Sequence, residues 1–180
     1  MIKKWRTTKD SIAFKGNIFR YRQLDRESTT NDLKGQFDVL DFLDWVNVVA
    51  VTSSNELILV KQYRHGIDNV TLEVPAGAIH PGEDHLLAAK RELREETGYI
   101  SNHWKFLGVV QPNPAIQSNL CSLYLAENCI YEGEPQLDPL EEIELVLRSK
   151  SQIKQMILNQ EIQHSLTLNA LYLADLVKES

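Results

Sequence analysis

The sequence predicts a mixed α and β fold of the α/β or α+β class, because strand-like and helix-like segments alternate along the chain. Two nearly continuous apolar runs, 46–51 and 57–60, are typical of buried strands. The run 84–97 is rich in the helix-forming residues Leu, Ala, Glu, Lys and Arg. The length of 180 residues corresponds to one domain with a small appendage. We therefore expect one main domain built on a mixed sheet.

The first 43 residues form a segment that differs from the rest of the chain. The runs 18–24 and 37–40 look like strands on either side of a turn-rich stretch, 28–35. Two or three strands with one apolar face need a partner sheet, a helix or a second subunit to be stable. We expect residues 1–43 to form a small antiparallel sheet that precedes the main domain, residues 44–180.

Within the main domain, strands and helices are predicted in alternation. The two buried runs form a hairpin, and Pro75 stops a short strand at 70–74. The predicted helix 84–97 has Asp84 in its first turn and Gly98 directly after its last turn, where glycine commonly ends a helix. The remaining predicted elements are strands at 104–110 and 121–126 and helices at 151–159 and 165–178.

Charge and composition favour a small-molecule partner. The chain has 25 acidic and 19 basic residues, and its net charge of −6 argues against sequence-independent binding to nucleic acid. No apolar run approaches the roughly 20 residues that span a bilayer. The basic start of the chain lacks the apolar core of a secretory signal, so we expect a cytoplasmic protein. Cys121 and Cys129 lack the spacing of a zinc site and are interpreted as ordinary apolar residues.

The predicted helix 84–97 carries three carboxylates that folding alone does not explain. Glu92, Glu95 and Glu96 lie at positions i, i+3 and i+4, which places them on one face. Their mutual repulsion and their position near the helix C-terminus both cost stability. One interpretation is a solvated acidic face, neutralised by the neighbouring cations Lys90, Arg91 and Arg94.

The surroundings of these carboxylates favour a catalytic interpretation. Gly77 is followed after five residues by Glu83, and after seven more by the run 91–99, Arg-Glu-Leu-Arg-Glu-Glu-Thr-Gly-Tyr. This spacing resembles the Nudix box: Gly, five free positions, Glu, seven free positions, then Arg-Glu-apolar-any-Glu-Glu-any-Gly-apolar. All nine specified positions are filled. The resemblance implies a Nudix hydrolase, with its α/β/α sandwich and mixed sheet.

The residues of the box suit the hydrolysis of a diphosphate. Cations must neutralise the phosphate oxygens and lower the pKa of the attacking water. Mg²⁺ prefers oxygen ligands and leaves positions open for water and phosphate, and Mn²⁺ has the same preference. We expect Glu92, Glu95 and Glu96 to bind such ions, and the resemblance implies that the carbonyl of Ala76 is a further ligand. Arg91 is expected to orient the carboxylates.

The resemblance extends to one branch of the family, the ADP-ribose and nucleoside diphosphate sugar pyrophosphatases. The segments 60–64 and 72–77 are similar to those that precede the box in this branch, and Pro114 lies fifteen residues past Tyr99, as a proline does there. The branch also has an amino-terminal sheet that is exchanged between subunits, which implies a homodimer. The run 115–119 departs from the pattern of ADP-ribose enzymes, so the sugar and the base stay open.

In this branch a general base often comes from a late loop. Here that loop is 133–144, which is rich in turn residues and acids. We take Glu141 as the first candidate for the base and Glu142 as the second, while a glutamate of the box, such as Glu95, is a further alternative. A solvated acidic loop without a catalytic role is the other interpretation.

Five further residues are candidates for binding substrate. Arg64 could pair with phosphates through its planar fork or form a surface salt bridge. Glu73 could bind a ribose hydroxyl or satisfy loop amides. Trp45 could stack on the base, although a position at the edge of the core is the more common role of tryptophan. Asn113 and Asn119 are candidate polar contacts at the mouth of the pocket.

The sequence therefore predicts a Mg²⁺-dependent enzyme that cleaves a nucleoside diphosphate sugar into a nucleoside monophosphate and a sugar phosphate. One alternative is a Nudix hydrolase of nucleoside triphosphates, dinucleoside polyphosphates or RNA 5′ ends. A second is a sensor that binds a nucleotide sugar without cleaving it. Such sensors usually carry a DNA-binding appendage and a degenerate box, and the sequence has neither feature.

Overall fold

A computed structural model describes residues 2–178, with side chains described up to residue 175. The described chain divides into two compact units. The first consists of Met1–Leu43 and Gln111–Asn119, and the second of Asp44–Val110 and Leu120–Ser180. The first unit thus includes a segment from the middle of the chain.

The first unit is built on an antiparallel sheet with strand order β1-β2-β3. Its strands are β1 (Arg6–Lys15), β2 (Phe19–Glu27) and β3 (Lys34–Phe42). The predicted strands 18–24 and 37–40 correspond to β2 and β3, whereas β1 was not predicted because charged and hydroxyl side chains interrupt its apolar pattern. The segment 111–119 joins β3 through hydrogen bonds on both sides of Leu40. Several large apolar side chains of this unit are exposed, among them Ile12, Phe14, Ile18 and Leu33.

The second unit contains a mixed sheet with the central order β11-β5-β4-β10-β8. The strands β4 and β10 run parallel, and the other pairings are antiparallel. The mixed sheet predicted from the sequence is confirmed. Its strands are β4 (Trp45–Thr52), β5 (Glu56–Arg64), β6 (Asn69–Glu73), β7 (Ala76–Ala78), β8 (Tyr99–Ile100), β9 (His103–Val110), β10 (Cys121–Tyr131) and β11 (Ile143–Ser149).

The first helix of the second unit is held at both ends. Helix α1 (His85–Thr97) begins after Asp84, whose carboxylate accepts hydrogen bonds from the amides of Leu86 and Leu87. It ends at Gly98, which has a left-handed φ of 73° and donates its amide to the Arg94 carbonyl. The helix and its terminator agree with the prediction. The other helices are α2 (Lys150–Leu158) and α3 (Ser165–Lys178).

The alternation of side chains along β4 divides the apolar core into two layers. Val46, Val48 and Ala50 point to one face of the sheet and pack with Ala88, Ala89 and Leu93 of α1. Val49 and Val51 point to the other face and pack with α2 and α3 residues, including Ile153 and Leu166. The sheet lies between helices, and α1 is fixed against it by its small buried residues.

Two further expectations from the sequence concern the cysteines and membrane-spanning segments. Cys121 and Cys129 are free and buried, and burial raises their pKa to about 12 and about 11. They behave as the ordinary apolar residues that we expected. None of the helices in the described residues has both the length and the apolar character needed to cross a membrane.

Candidate active site

Helix α1 places Glu92, Glu95 and Glu96 on one face, but the structure encloses them to different degrees. The side chain of Glu92 is 13% exposed and that of Glu95 is 41% exposed. Glu96 is 4% exposed. Two of the three carboxylates are therefore largely withdrawn from water, which is costly for a charged group unless a cation accompanies it.

The short strand β7 lies directly against these two carboxylates. The Ala76 amide donates to the Glu96 carboxylate at 2.9 Å. A Cβ atom at Gly77 would lie 2.1 Å from both Cδ and Oε1 of Glu92, so only glycine permits the observed approach. The glycine of the box thus provides the space that the first box glutamate occupies.

This approach predicts that Gly77→Ala damages activity without unfolding the protein. The methyl group displaces the Glu92 carboxylate, which is the end of a flexible side chain, while the backbone at Gly77 has no positive φ. We expect kcat to fall by about a hundredfold, as for a displacement of 1 Å in an active site, with an unfolding free energy unchanged within about 1 kcal/mol. Steady-state kinetics and urea unfolding measure the two effects. Gly66→Ala, where a Cβ meets no atom within 4 Å, is the matched control. Normal turnover by Gly77→Ala would contradict the role of Glu92.

The surroundings of these carboxylates disfavour their charged forms. Burial raises the pKa of Glu92, and Glu95 and Glu141 add to the effect against the opposing charge of Arg91. Burial also raises the pKa of Glu96 well above its ordinary value, with a further contribution from Glu92. A positive charge placed beside Glu92 and Glu96 would therefore stabilise the ionised forms of both carboxylates.

Arg91 is hydrogen bonded through all three of its nitrogens. Its Nε and Nη2 donate to the two oxygens of Glu83 at 2.8 and 2.9 Å, and Nη2 also donates to the Ala78 carbonyl. Its Nη1 donates to Glu92 at 2.7 Å and to Glu95 at 3.1 Å. The Arg91 guanidinium lowers the pKa of Glu83 to about 2. Glu83 therefore ties the loop before α1 to Arg91, and Arg91 in turn contacts two of the three helix carboxylates.

The donor set fits a hard divalent cation. Glu92, Glu95 and Glu96 offer carboxylate oxygens on one helix face, and the two enclosed carboxylates have raised pKa values that a metal ion would offset. In residues 2–178, no group of three His, Cys, Asp or Glu side chains is already gathered as a metal site. Arg91 pairs with Glu92 and Glu95 in this arrangement.

Arg64 and Glu73 form a buried ion pair beside the box. Glu73 is fully buried and accepts from Nε and Nη2 of Arg64 at 2.8 and 2.7 Å. Thr71 also donates to Glu73, and His164 lies 2.9 Å from its second oxygen. Burial alone would raise the pKa of Glu73, but Arg64 and His164 outweigh it and hold this pKa well below its ordinary value. The predicted contact of Glu73 with a ribose does not fit this arrangement, because its carboxylate is enclosed by protein donors.

Arg64 forms the salt bridge that was one of its two predicted roles, and it stays partly exposed. Its side chain is 43% exposed, and Glu73 engages only two of its three guanidinium nitrogens. The positive charge of Arg64 also acts on Glu96. The backbone carbonyl of His164 accepts the Leu168 amide at the beginning of α3. The contact of the His164 side chain with Glu73 depends on the packing of α3 against the sheet and has no local signal in the sequence.

The late acidic loop lies next to the end of α1. Glu141 and Glu142 are exposed in this loop. The negative charge of Glu141 is among the largest electrostatic influences on the pKa values of Glu92, Glu96 and Arg64. The Glu141 carboxylate accepts the amide of Asp138, and Glu141 lies two residues before the start of β11.

The other three candidates for substrate binding have different surroundings. Trp45 opens β4 and packs against the core layer on the α3 side of the sheet, as expected of a tryptophan at the edge of a core. Asn113 and Asn119 belong to the first unit. The Asn113 carbonyl accepts the amides of Ile116 and Gln117, and its residue is exposed. Asn119 is 3% exposed, and neither polar atom of its side chain has a hydrogen-bond partner in the described structure.

Comparison with known proteins identifies the family. A family model described as the NUDIX domain matches residues 43–164, which is more than half of the chain. The chain belongs to the Nudix family. This Nudix protein is therefore an enzyme that hydrolyses a pyrophosphate bond.

Individual relatives agree with this assignment. The chain is 29% identical to a methanol dehydrogenase activator from Bacillus methanolicus over 92% of this chain and 89% of that protein. It is 29% identical to an ADP-ribose pyrophosphatase from Bacillus subtilis over 70% of this chain and 69% of that protein. A crystal structure of an ADP compounds hydrolase has the same fold, with a TM-score of 0.84 and 22% identity over 97% of this chain and 94% of that chain. The predicted resemblance to the ADP-ribose pyrophosphatase branch is confirmed.

Proposed function

We propose that this Nudix enzyme is a Mg²⁺-dependent pyrophosphohydrolase that cleaves a nucleoside diphosphate sugar, of the ADP-ribose or GDP-mannose type, into a nucleoside monophosphate and a sugar phosphate. The observation that carries the proposal is the packing of two enclosed carboxylates, Glu92 and Glu96, against the Ala76–Gly77 backbone. The similarity to an ADP-ribose pyrophosphatase supports the substrate class.

The carboxylates of Glu92, Glu95 and Glu96 and the Ala76 carbonyl are the groups that would hold a divalent ion. Nudix hydrolases generally use such an ion, commonly Mg²⁺, and Mn²⁺ would suit the same oxygens. When bound, the ion would neutralise the negative charge of the diphosphate oxygens and lower the pKa of the attacking water. Arg91 keeps Glu92 and Glu95 on the same side of the helix, because one nitrogen bridges both side chains.

Arg64 supplies a second positive charge for the diphosphate. Its carboxylate partner, Glu73, holds the guanidinium plane fixed through two parallel hydrogen bonds. The remaining nitrogen and the exposed side of the guanidinium can donate to phosphate oxygens. Glu73 thereby acts through Arg64 as a positioning residue.

Glu141 is our choice for the general base that takes a proton from the attacking water. It is exposed, and its charge is among the largest electrostatic influences on the pKa values of Glu92 and Glu96. A base must lie within hydrogen-bond reach of the water, directly or through a second water. Glu142 and Glu95 remain the alternatives.

Isosteric replacement separates these candidates. We expect Glu141→Gln to lower kcat by about 10²- to 10³-fold, because glutamine keeps the shape of the side chain and cannot accept the proton. Glu142→Gln should stay within about threefold of the wild type, as is usual for an exposed charge without a catalytic role. Initial rates at saturating substrate measure both variants. The assignment fails if both variants turn over normally, and it passes to Glu142 if their effects are reversed.

A substrate panel tests the proposed activity. Purified protein with Mg²⁺ is offered ADP-ribose, GDP-mannose, UDP-sugars, nucleoside triphosphates, dinucleoside polyphosphates and RNA with a 5′ triphosphate. We expect a nucleoside monophosphate from at least one nucleoside diphosphate sugar, at a higher kcat/KM than from the other classes. Cleavage only of the other classes would favour the alternative Nudix hydrolase. Binding without any product in a single-turnover experiment would favour a sensor.

We also propose that the first 43 residues serve as a dimerisation element and that residues 44–180 form the catalytic domain. The antiparallel sheet of the first unit leaves large apolar side chains exposed, including Ile12, Phe14 and Ile18. Such exposed apolar groups are typical of a surface that another chain covers. Sedimentation equilibrium should give twice the mass of 20.6 kDa. A concentration-independent monomer would exclude the dimer.

A further inference from the structure

The hydrogen bonds described between helix α1 and the acidic loop that carries Glu141 all fall at the beginning of that loop. We define the strap as residues 132–136, the first half of the connection between β10 and β11. The amide of Glu132 donates to the Gly98 carbonyl, and the amide of Gln136 donates to the Glu95 carbonyl. Farther along, Asp138 and Glu141 bond to each other, and Leu140 is 96% exposed. Glu141 therefore lies between two fixed points, the strap on one side and Ile143, where β11 begins to pair with β5, on the other.

Arg94 is the side chain that holds the strap. Its Nε donates to the Glu132 carboxylate at 2.8 Å, and its Nη1 donates to the Glu134 carbonyl at 3.0 Å. Its Nη2 lies 3.5 Å from the position of a Cβ at Gly133, so the guanidinium packs along the strap between its two acceptors. The side chain is 27% exposed, which is low for an arginine near a helix end. One guanidinium thus spans three consecutive residues of the strap.

The strap approaches α1 closely at Gly98. A Cβ atom at Gly98 would lie 1.9 Å from the Gly133 carbonyl oxygen, so the backbone of the strap lies where a side chain would otherwise be. The Gly98 φ of 73° and this approach both require glycine. A side chain at position 98 would clash with backbone atoms and no change of rotamer would relieve the clash, so only glycine permits the strap to lie here.

The negative charges of the loop and of the end of α1 repel each other unless a cation lies between them. The loop 132–142 contains five carboxylates and no Lys or Arg, and it faces the end of a helix that already carries Glu92, Glu95 and Glu96. Like charges at this proximity repel. Arg91 is engaged with Glu83 and with the helix carboxylates, so Arg94 is the cation that α1 directs at the strap.

We propose that Arg94 is a positioning residue that holds the strap against the end of α1 and thereby places Glu141 beside the box. Arg94 occupies a position that the box leaves free, so the motif itself assigns it no role. The proposal rests on the proposed function for its catalytic part, because it takes Glu141 as the base. Its structural part, the anchoring of the loop, does not depend on that assignment.

Kinetics of five variants, four single and one double, test the catalytic part. We expect Arg94→Ala to lower kcat by about tenfold with KM within about twofold, because a misplaced base affects the reaction more than binding. Arg94→Lys keeps the charge but cannot reach both acceptors, so an intermediate loss is expected. Lys90→Ala, an exposed cation one turn earlier on α1, is the control and should match the wild type. In a Glu141→Gln background, Arg94→Ala should cause no further loss, and an equal loss there would overturn the proposal.

Amide hydrogen exchange tests the structural part independently of turnover. We expect Arg94→Ala to speed exchange in residues 132–142 by at least about tenfold relative to the wild type and to Lys90→Ala, with the exchange of β4 unchanged. Unchanged exchange in the loop would overturn the proposal. If Glu141→Gln turns over normally, the base assignment fails, and exchange alone then decides whether Arg94 holds the strap.

Discussion

Glu96→Gln should lower kcat by about a thousandfold and raise the melting temperature of the metal-free protein. Glu96 is a carboxylate within the set that would hold the metal ion, and removal of its charge weakens that site. In the absence of metal, however, Glu96 is buried next to Glu92, where its ionised form is disfavoured and one hydrogen bond from the Ala76 amide offsets only part of that cost. Glutamine keeps the acceptor for that amide and removes the cost of a buried ionisable group, so the fold becomes more stable.

Thermal melts with and without Mg²⁺ measure the change in stability and the binding of the metal ion. In a chelator, the variant should melt above the wild type. Addition of Mg²⁺ should raise the melting temperature of the wild type and leave that of Glu96→Gln nearly unchanged, because ligand binding stabilises only a protein that binds it. Glu161→Gln, at an exposed position, is the control and should change neither property. Full activity in Glu96→Gln, or an equal response of both proteins to Mg²⁺, would remove Glu96 from the metal site.

Glu73→Gln should destabilise the protein by about 3 kcal/mol at neutral pH, toward the lower end of the cost of breaking a buried ion pair, because Arg64 is partly exposed. Arg64, Thr71 and His164 all face this carboxylate. Glutamine replaces one of its two acceptor oxygens with an NH₂ group, which cannot accept a hydrogen bond from them. Urea unfolding measures the change. The exposed pair of Glu144 and Lys61 provides the control, and Glu144→Gln should cost less than about 1 kcal/mol.

The same residue predicts a pH dependence with a definite sign. Because the pKa of Glu73 is lower in the folded protein than its ordinary value of 4.5, its contribution is complete above pH 4.5 and is lost as the pH falls further. The difference in unfolding free energy between wild type and Glu73→Gln should shrink by about 1.4 kcal/mol for each pH unit between 4.5 and 3. A difference that grows or stays constant on acidification would show that Glu73 is not held ionised.

The parts of the site that could be predicted are those encoded by local spacing. The helix 84–97, its terminator Gly98 and the common face of Glu92, Glu95 and Glu96 follow from a period of 3.6 residues and from the preference of glycine for a left-handed φ. The two buried strands β4 and β5 follow from continuous apolar runs. Strand β1 was missed because its side chains are mostly exposed and follow no apolar period.

Contacts between residues distant in the chain were not predictable in the same way. The enclosure of Glu73 by Arg64 and His164 joins β5, β6 and the start of α3, and it surrounds a predicted ligand contact with protein donors. Arg94 lies at an unspecified position of the box, and its contact with Glu132 spans 38 residues. No spacing in one sequence reports such partners, because they meet only after the sheet and its helices have packed.

By itself, the sequence determined the family, the position of the carboxylates on one helix face and the glycine that ends α1, since each follows from spacing and backbone geometry along the chain. The close approaches of Glu92 to Gly77 and of the Gly133 carbonyl to Gly98 arise only in the tertiary structure. The tertiary structure decided the pKa values of those carboxylates and the cations with which they pair. Burial against β7 raises the pKa of Glu92 and Glu96, and Arg91 and Arg94 are distributed between the box and the acidic loop. Burial and charge pairing depend on everything that surrounds a group in space, and this is settled only when the whole unit has folded.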